Sequence, residues 1–308
     1  MIMNGILVID KPSGWTSHDV IAKLRGVLKI KRIGHGGTLD PMATGVLPVF
    51  IGRATRAAEF CENAEKEYIA EILLGTVTDT QDITGNILEK NTVSVSVDDL
   101  ATVLPQFTGS LKQIPPMYSA IKKDGQKLYE LARRGIEVTR EPRNIFISKL
   151  EILESLDSKD ASEPKDASES LNSVYTLRIV CSKGTYIRTL CHDIGAALGS
   201  GATLSALRRT GAGVYKINEA HTPDDVTAAA LTGSVNDYVL PVDGIFSEYP
   251  SLTINEIETK KAKNGAVCKT GSDIKNGKYK IYSPAGEFLL FGEVHNSKIK
   301  TIKSFFEV

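Results

Sequence analysis

Asp40 is the lone carboxylate in a loop of small residues, GHGGTLDPMATG at positions 34–45. Glycine-rich loops often cradle phosphates, but the spacing here excludes the two common versions. A nucleotide P-loop needs GxxxxGK followed by Ser or Thr, and no Lys lies between Gly34 and Gly45. A dinucleotide fingerprint needs GxGxxG; Gly34 and Gly36 supply two positions, but Leu39 stands where the third glycine belongs. Pro41 biases Asp40 toward extended backbone. The flanking glycines permit backbone angles closed to other residues. Such a loop can hold one carboxylate at a fixed point and let a bulky ligand approach the backbone. Local sequence leaves a second reading open, a turn in which Asp40 bonds only to nearby backbone N–H groups.

The charges are segregated in a way that the net charge of zero hides. Residues 112–149 hold nine Lys or Arg against four Asp or Glu, and residues 151–170 hold seven acidic residues against two Lys. A second basic cluster, Lys23, Arg25, Lys29, Lys31 and Arg32, leads into the glycine loop. Local basic faces, not the total, decide whether phosphates are attracted. The same clusters also suit a solvated, salt-bridged surface. Cys61, Cys181, Cys191 and Cys268 are widely spaced and form no CxxC pair, so they read as reduced, buried thiols. Cys191 and His192 are adjacent, a poor spacing for metal ligands, and no metal is expected.

A chain of 308 residues suggests two domains. No apolar run approaches the roughly 18 residues of a membrane span, and MIMNGILVID lacks the basic region and cleavage site of a secretion signal. The expected compartment is the cytoplasm. GILVID (5–10) reads as a strand. Thr16 and Asp19 fit a capping box before a helix with apolar Val20, Ile21, Leu24, Val27 and Leu28. GVLPVFIG reads as a strand interrupted by Pro48, and 54–65 as helical. KEYIAEILLG (66–75) is a strand, TDTQDITGN a turn, 97–105 a short helix. Residues 114–143 form a basic arm with a helix at Lys127–Arg134. Strand 144–154 follows, then an acidic insertion, 155–172, without aromatics, expected to be disordered. SVYTLRIVCSKG is a strand, 185–198 a helix, then come an Ala/Leu segment, strand GVYKI and helix PDDVTAAAL. From about Tyr249, short β-type runs are separated by NG and AG turns. The expected fold is α+β with a mixed, mostly antiparallel sheet and a small C-terminal β-barrel-like domain.

The glycine loop, KEYIAEILLGTVTDTQD, PPMYSAIKKDGQKLYELARRGIEV and CSKGTYIRTLCHDIG occur in that order. Together they make the chain resemble bacterial-type tRNA pseudouridine-55 synthases of the TruB family, from Gly5 to about Ile217. The C-terminal stretch resembles a PUA-type RNA-binding domain. The resemblance implies a pseudouridine-synthase catalytic domain over 1–245 and a PUA-like domain over 249–308. It implies a cofactor-free isomerisation of the T-loop uridine of tRNA. The N–C glycosidic bond breaks, the uracil rotates, and a C–C bond forms through its C5. Asp40 is then the essential carboxylate, in keeping with the ability of carboxylates to act as nucleophile or base at a sugar carbon. Arg188 fills the position that pairs with this carboxylate, where position alone would suggest a helix-surface arginine. Tyr186 matches a residue touching the target base, and Tyr68 one whose ring stacks on the uracil; alone, Tyr68 reads as an inward strand tyrosine. Leu207 matches an apolar wall of the pocket. His35 matches a residue that inserts near the stack vacated by the flipped base. The basic arm, with Lys122, Lys123, Arg133 and Arg134, resembles a segment that grips the T arm through its phosphates.

The implied partner is tRNA alone, with a monomeric enzyme, no protein partner and no membrane. Two alternatives remain open on sequence: an RNA-folding chaperone with secondary catalysis, and the RNA-guided branch that modifies ribosomal RNA but lacks the basic arm.

Overall fold

The structure, a computed structural model, describes residues 3–153 and 173–306. The acidic insertion 155–172 lies outside the described residues. The chain forms two compact units. Met1–Asp40, Val46–Glu62 and Gly213–Val308 make the first; Pro41–Gly45 and Asn63–Ala212 make the second. Among the described residues no helix is long and apolar enough to cross a membrane.

In the first unit, the strand Gly5–Lys11 buries every residue except Asp10, as a continuous apolar run does when both faces are covered. The helix Ser17–Leu28 carries the expected capping box. Asp19 N–H donates to Thr16 Oγ1 at 3.1 Å, and Thr16 N–H donates to Asp19 Oδ2 at 2.8 Å. Its buried Val20, Ile21 and Leu24 pack with Leu7, Ile9, Leu47 and Val49, and with Val226 of the helix Pro223–Thr232. Pro48 does not interrupt its strand, which runs Thr44–Ile51. Pairing with the strand Ile33–His35 starts at Val49, so the missing N–H of Pro48 falls just past the ladder. The expected 54–65 helix is split into a 3-10 turn, Gly52–Ala57, and a short α-helix, Ala58–Asn63.

The C-terminal part of this unit is a curled five-stranded sheet ordered Ser251–Thr253, Gly277–Tyr282, Phe288–His295, Lys298–Ser304, Cys268–Lys269. It packs through aromatic rings: Phe246 stacks on Phe291 at 4.3 Å and meets Phe60 edge-on at 4.9 Å. A helix, Glu256–Lys263, was not expected here. Its sequence buries only Glu258, Thr259 and Ala262, too few apolar groups to show helical periodicity.

The second unit is built on a sheet ordered Ala202–Ala212, Lys66–Leu74, Val174–Cys181, Arg143–Ile152, Gly109–Gln113, all antiparallel neighbours. Thr44 and Gly45 run parallel to Arg208 and Arg209 at its other edge, which makes the sheet mixed. The segment read as merely Ala/Leu-rich is thus an eleven-residue strand. Register shifts at Leu204/Ala206 and Arg209/Gly211 break its alternation, which hid it. The GVYKI strand, which belongs to the first unit, shrinks to Tyr215–Lys216. The helix Ile187–Ala197 buries Ile187, Leu190, Cys191 and Ile194. All four cysteines are buried thiols. Burial pushes Cys181 up to about 11 and Cys191 up to about 12, so both stay protonated and unreactive at neutral pH.

Candidate active site

In the first unit, the glycine loop is held from three sides. Gly36 N–H donates to the Pro48 carbonyl at 2.9 Å. A side chain at Gly36 would meet Phe50 and Cys61 within 2.9 Å, so the position admits only glycine. Leu39 is buried, and Ser17, the first residue of its helix, grips both of its backbone groups. Leu39 N–H donates to Ser17 Oγ at 2.9 Å, and Ser17 Oγ lies 3.3 Å from the Leu39 carbonyl that it donates to. The residue before Asp40 is therefore fixed on both sides, and Asp40 itself is half-buried. His35 ends the strand Ile33–His35 and stands edge-on to His18, with ring centroids 5.4 Å apart.

The chain passes into the second unit at the Asp40–Pro41 peptide. Gly45, at φ 101°, lies so close to the next strand that a Cβ would sit 2.2 Å from the Arg209 carbonyl oxygen. This is why the loop must end in glycine. Arg208 Nη1 donates to Thr44 Oγ1 at 3.2 Å.

Tyr68 sits on the central strand, opposite Arg209 on one side and Ile179 on the other; Leu207 is opposite Ala70. Directly opposed residues share a sheet face, as do residues two apart. Tyr68 and Leu207 therefore lie on one face as diagonal neighbours, and both are largely buried.

Arg188 and Tyr186 open the helix Ile187–Ala197. Arg188 is only 4% exposed, so the helix-surface reading is wrong. A buried guanidinium is costly unless its donors are matched, and here they are. Nη1 donates to the Thr80 carbonyl and Nη2 to the Tyr118 carbonyl, each at 2.9 Å. Nε lies 3.7 Å from Asp82 Oδ2. Asp82 is itself buried. Its Oδ1 accepts from Thr80 Oγ1 (2.8 Å), Thr84 N–H (3.0 Å) and Thr84 Oγ1 (2.5 Å). Asp82 was not singled out on sequence. The signal was present in TDTQDITG, where hydroxyls crowd around carboxylates, but such a string also describes an ordinary turn. Replacing Asp82 by Ala removes one partner of a buried ion pair and should cost about 3 kcal/mol of stability together with most of the turnover. Denaturant unfolding and single-turnover rates check this; a variant with wild-type values on both would show the pair to be dispensable.

Tyr186 is the N-terminal cap residue of that helix and is half-buried. Its backbone N–H donates to Gln113 Oε1 at 2.8 Å, and its carbonyl accepts from Gln113 Nε2 at 3.0 Å. Gln113 also escaped the sequence reading, since a strand-end glutamine carries no motif.

The basic arm is ordered around a small hairpin. Lys122 pairs with Lys127 and Lys123 with Gln126, about a turn at Asp124 and Gly125, both at positive φ. Its helix spans Leu128–Ala132, shorter than the expected Lys127–Arg134, and Gly135 at φ 70° turns the chain away. Leu128 and Leu131 face inward, while Lys122, Lys123, Arg133 and Arg134 are exposed. Lys127 Nζ and Arg133 Cζ each lie over the Tyr129 ring, 5.4 Å from its centroid. Among the described residues no group of three or more His, Cys, Asp or Glu is arranged to hold a metal ion.

This fold is shared with solved structures. A chain of "Crystal Structure of a Cbf5-Nop10-Gar1 Complex" superposes with a TM-score of 0.70 at 27% identity, covering 98% of this chain and 85% of that one. A chain of "Structure of H/ACA RNP bound to a substrate RNA containing 2'-deoxyuridine" gives 0.71 at 26%, with coverages of 98% and 85%. Residues 25–187 match the model for the TruB family pseudouridylate synthase N-terminal domain. The chain belongs to the TruB family of pseudouridylate synthases, which makes it an isomerase. Residues 188–247 match the model for the tRNA pseudouridylate synthase B C-terminal domain. Relatives named tRNA pseudouridine synthase B include one from Syntrophomonas wolfei, 41% identical over 97% of this chain and 96% of its own length. Another, from Bacillus subtilis, is 39% identical over 98% and 96%.

Proposed function

We propose that this protein converts the uridine at position 55, in the T loop of tRNA, to pseudouridine, acting alone as a cytoplasmic monomer without cofactor. The observation that carries the proposal is the match, along nearly the whole of both chains, to relatives named tRNA pseudouridine synthase B. The H/ACA-type structures are more distant in sequence, and the arm at 114–143 supplies a basic surface that an unguided enzyme needs for its own RNA grip.

Asp40 is the reacting carboxylate. Two routes are open to it, attack on the sugar and removal of the C2′ proton, and both require the ionised form. The glycosidic N1–C1′ bond breaks, C5 bonds to C1′, the C5 proton leaves and N1 gains one, so the product is an isomer of the reactant. Arg188 supplies positive charge for the ionised carboxylate. Tyr68 stacks on the uracil, Leu207 walls the pocket, Tyr186 contacts the base, and His35 fills the stack left by the flipped nucleotide. Lys122, Lys123, Arg133 and Arg134 grip the phosphates of the T arm. Residues 1–245 form the catalytic domain, and 249–308 form a PUA-type module that adds RNA affinity.

An isolated T-arm hairpin should therefore be modified. Neutralising Lys122, Lys123, Arg133 and Arg134 together should weaken hairpin binding and flatten its salt dependence, while the single-turnover rate at saturating hairpin changes little. An unmodified hairpin beside fully reactive tRNA would move the main recognition away from the arm. A reaction that needs added RNA or protein would favour the guided alternative.

A further inference from the structure

We propose that Gln113 is a positioning residue for the reaction, setting Tyr186 through its backbone. The proposal rests on the reading of Tyr186 as a residue that contacts the target base.

Gln113 is the last residue of the strand Gly109–Gln113, where it is paired with Arg143, and is only 5% exposed. Burying a primary amide is costly unless both its ends are used. Both are, and on one residue: Oε1 accepts the Tyr186 N–H and Nε2 donates to the Tyr186 carbonyl. The side chain thus makes the two bonds that a neighbouring strand would make. A flipped amide would oppose donor to donor and acceptor to acceptor, so the contact has one orientation.

Tyr186 needs such a device. It caps its helix without any side-chain capping bond, and Gly184 just before it turns the chain at φ 78°. Its carbonyl also accepts the first helical bond, from Leu190 N–H at 3.0 Å. Gln113 therefore fixes both peptide planes that flank the Tyr186 Cα, from which the ring projects. The same stretch reaches two residues further along the helix, because the Tyr118 carbonyl accepts from Arg188. Gln113 also stands directly before Ile114, where the basic arm begins. The arm's foot is thus bonded to the start of the helix that carries both side chains.

The test compares Gln113→Leu with wild type on a T-arm hairpin labelled with tritium at uracil C5. A small misplacement of a positioned group costs on the order of 10²-fold. The expected result is a single-turnover rate lower by about ten- to a hundredfold, an unchanged KM and a folded protein by thermal melting. In a Tyr186→Leu background the same substitution should cost far less, because coupled sites are not additive. Should Gln113→Leu fail to fold, Gln113→Met keeps the unbranched shape and carries the same comparison. A wild-type rate for Gln113→Leu, or an equal loss with and without Tyr186, overturns the proposal. If Tyr186→Leu alone reacts at the wild-type rate, the role of Tyr186 falls first and that of Gln113 with it; a slow Tyr186→Leu beside a normal Gln113→Leu removes Gln113 alone.

Discussion

Asp40→Asn is expected to bind tRNA as the wild type does and to show no turnover. The substitution keeps the size of the side chain and the shape of the loop. Leu39 stays gripped by Ser17, and Gly36 stays under Phe50 and Cys61, so the neutral amide occupies the place of the carboxylate. What is lost is the negative charge and the basic oxygen, and neither attack on the sugar nor removal of a C2′ proton proceeds without them. Losses on removing a reacting group are typically about 10⁴-fold or more. Tritium release from C5-labelled RNA, beside a filter-binding isotherm, separates the two effects. Steady-state turnover by a preparation proven free of Asp at position 40 would end the assignment.

Arg188→Lys is expected to lose much of its rate too, although it keeps the charge. The guanidinium reaches the Thr80 carbonyl, the Tyr118 carbonyl and Asp82 with three different nitrogens. A lysine offers one nitrogen at the end of a flexible stem and cannot span three acceptors set by a rigid fork. At least one buried acceptor then loses its donor, and the charge moves. Removing one preorganised charge-stabilising group commonly costs about 10²–10³ in rate, and a loss of that order is expected at saturating RNA. The stability loss should be smaller than for Asp82→Ala, since the buried carboxylate keeps a cation nearby. A wild-type single-turnover rate would show that the fork has no part in the reaction.

The parts of the fold legible in the sequence are those where one physical signal dominates. The apolar run at Gly5–Lys11, the box of Thr16 and Asp19, and the alternating burial of Lys66–Leu74 each declare their element locally. The Ala202–Ala212 strand is hidden because two register shifts disturb its period, and Glu256–Lys263 because its apolar face is nearly absent. The candidate residues were legible as motifs, but their supports were not. Arg188 looks like a surface cation until tertiary structure brings Thr80, Asp82 and Tyr118 around it. Gln113 meets Tyr186 across 73 residues of chain, and Ser17 meets Leu39 across 22. Such hydrogen bonds obey no local period, so only the folded chain reveals them.

The most direct measurement incubates the purified protein with an unmodified tRNA transcript and maps pseudouridine at single-nucleotide resolution. The expected product carries one pseudouridine, at position 55, formed without guide RNA, added protein or cofactor, and absent with Asp40→Asn. Modification at another position only, or none until a guide RNA and partner proteins are supplied, would contradict it.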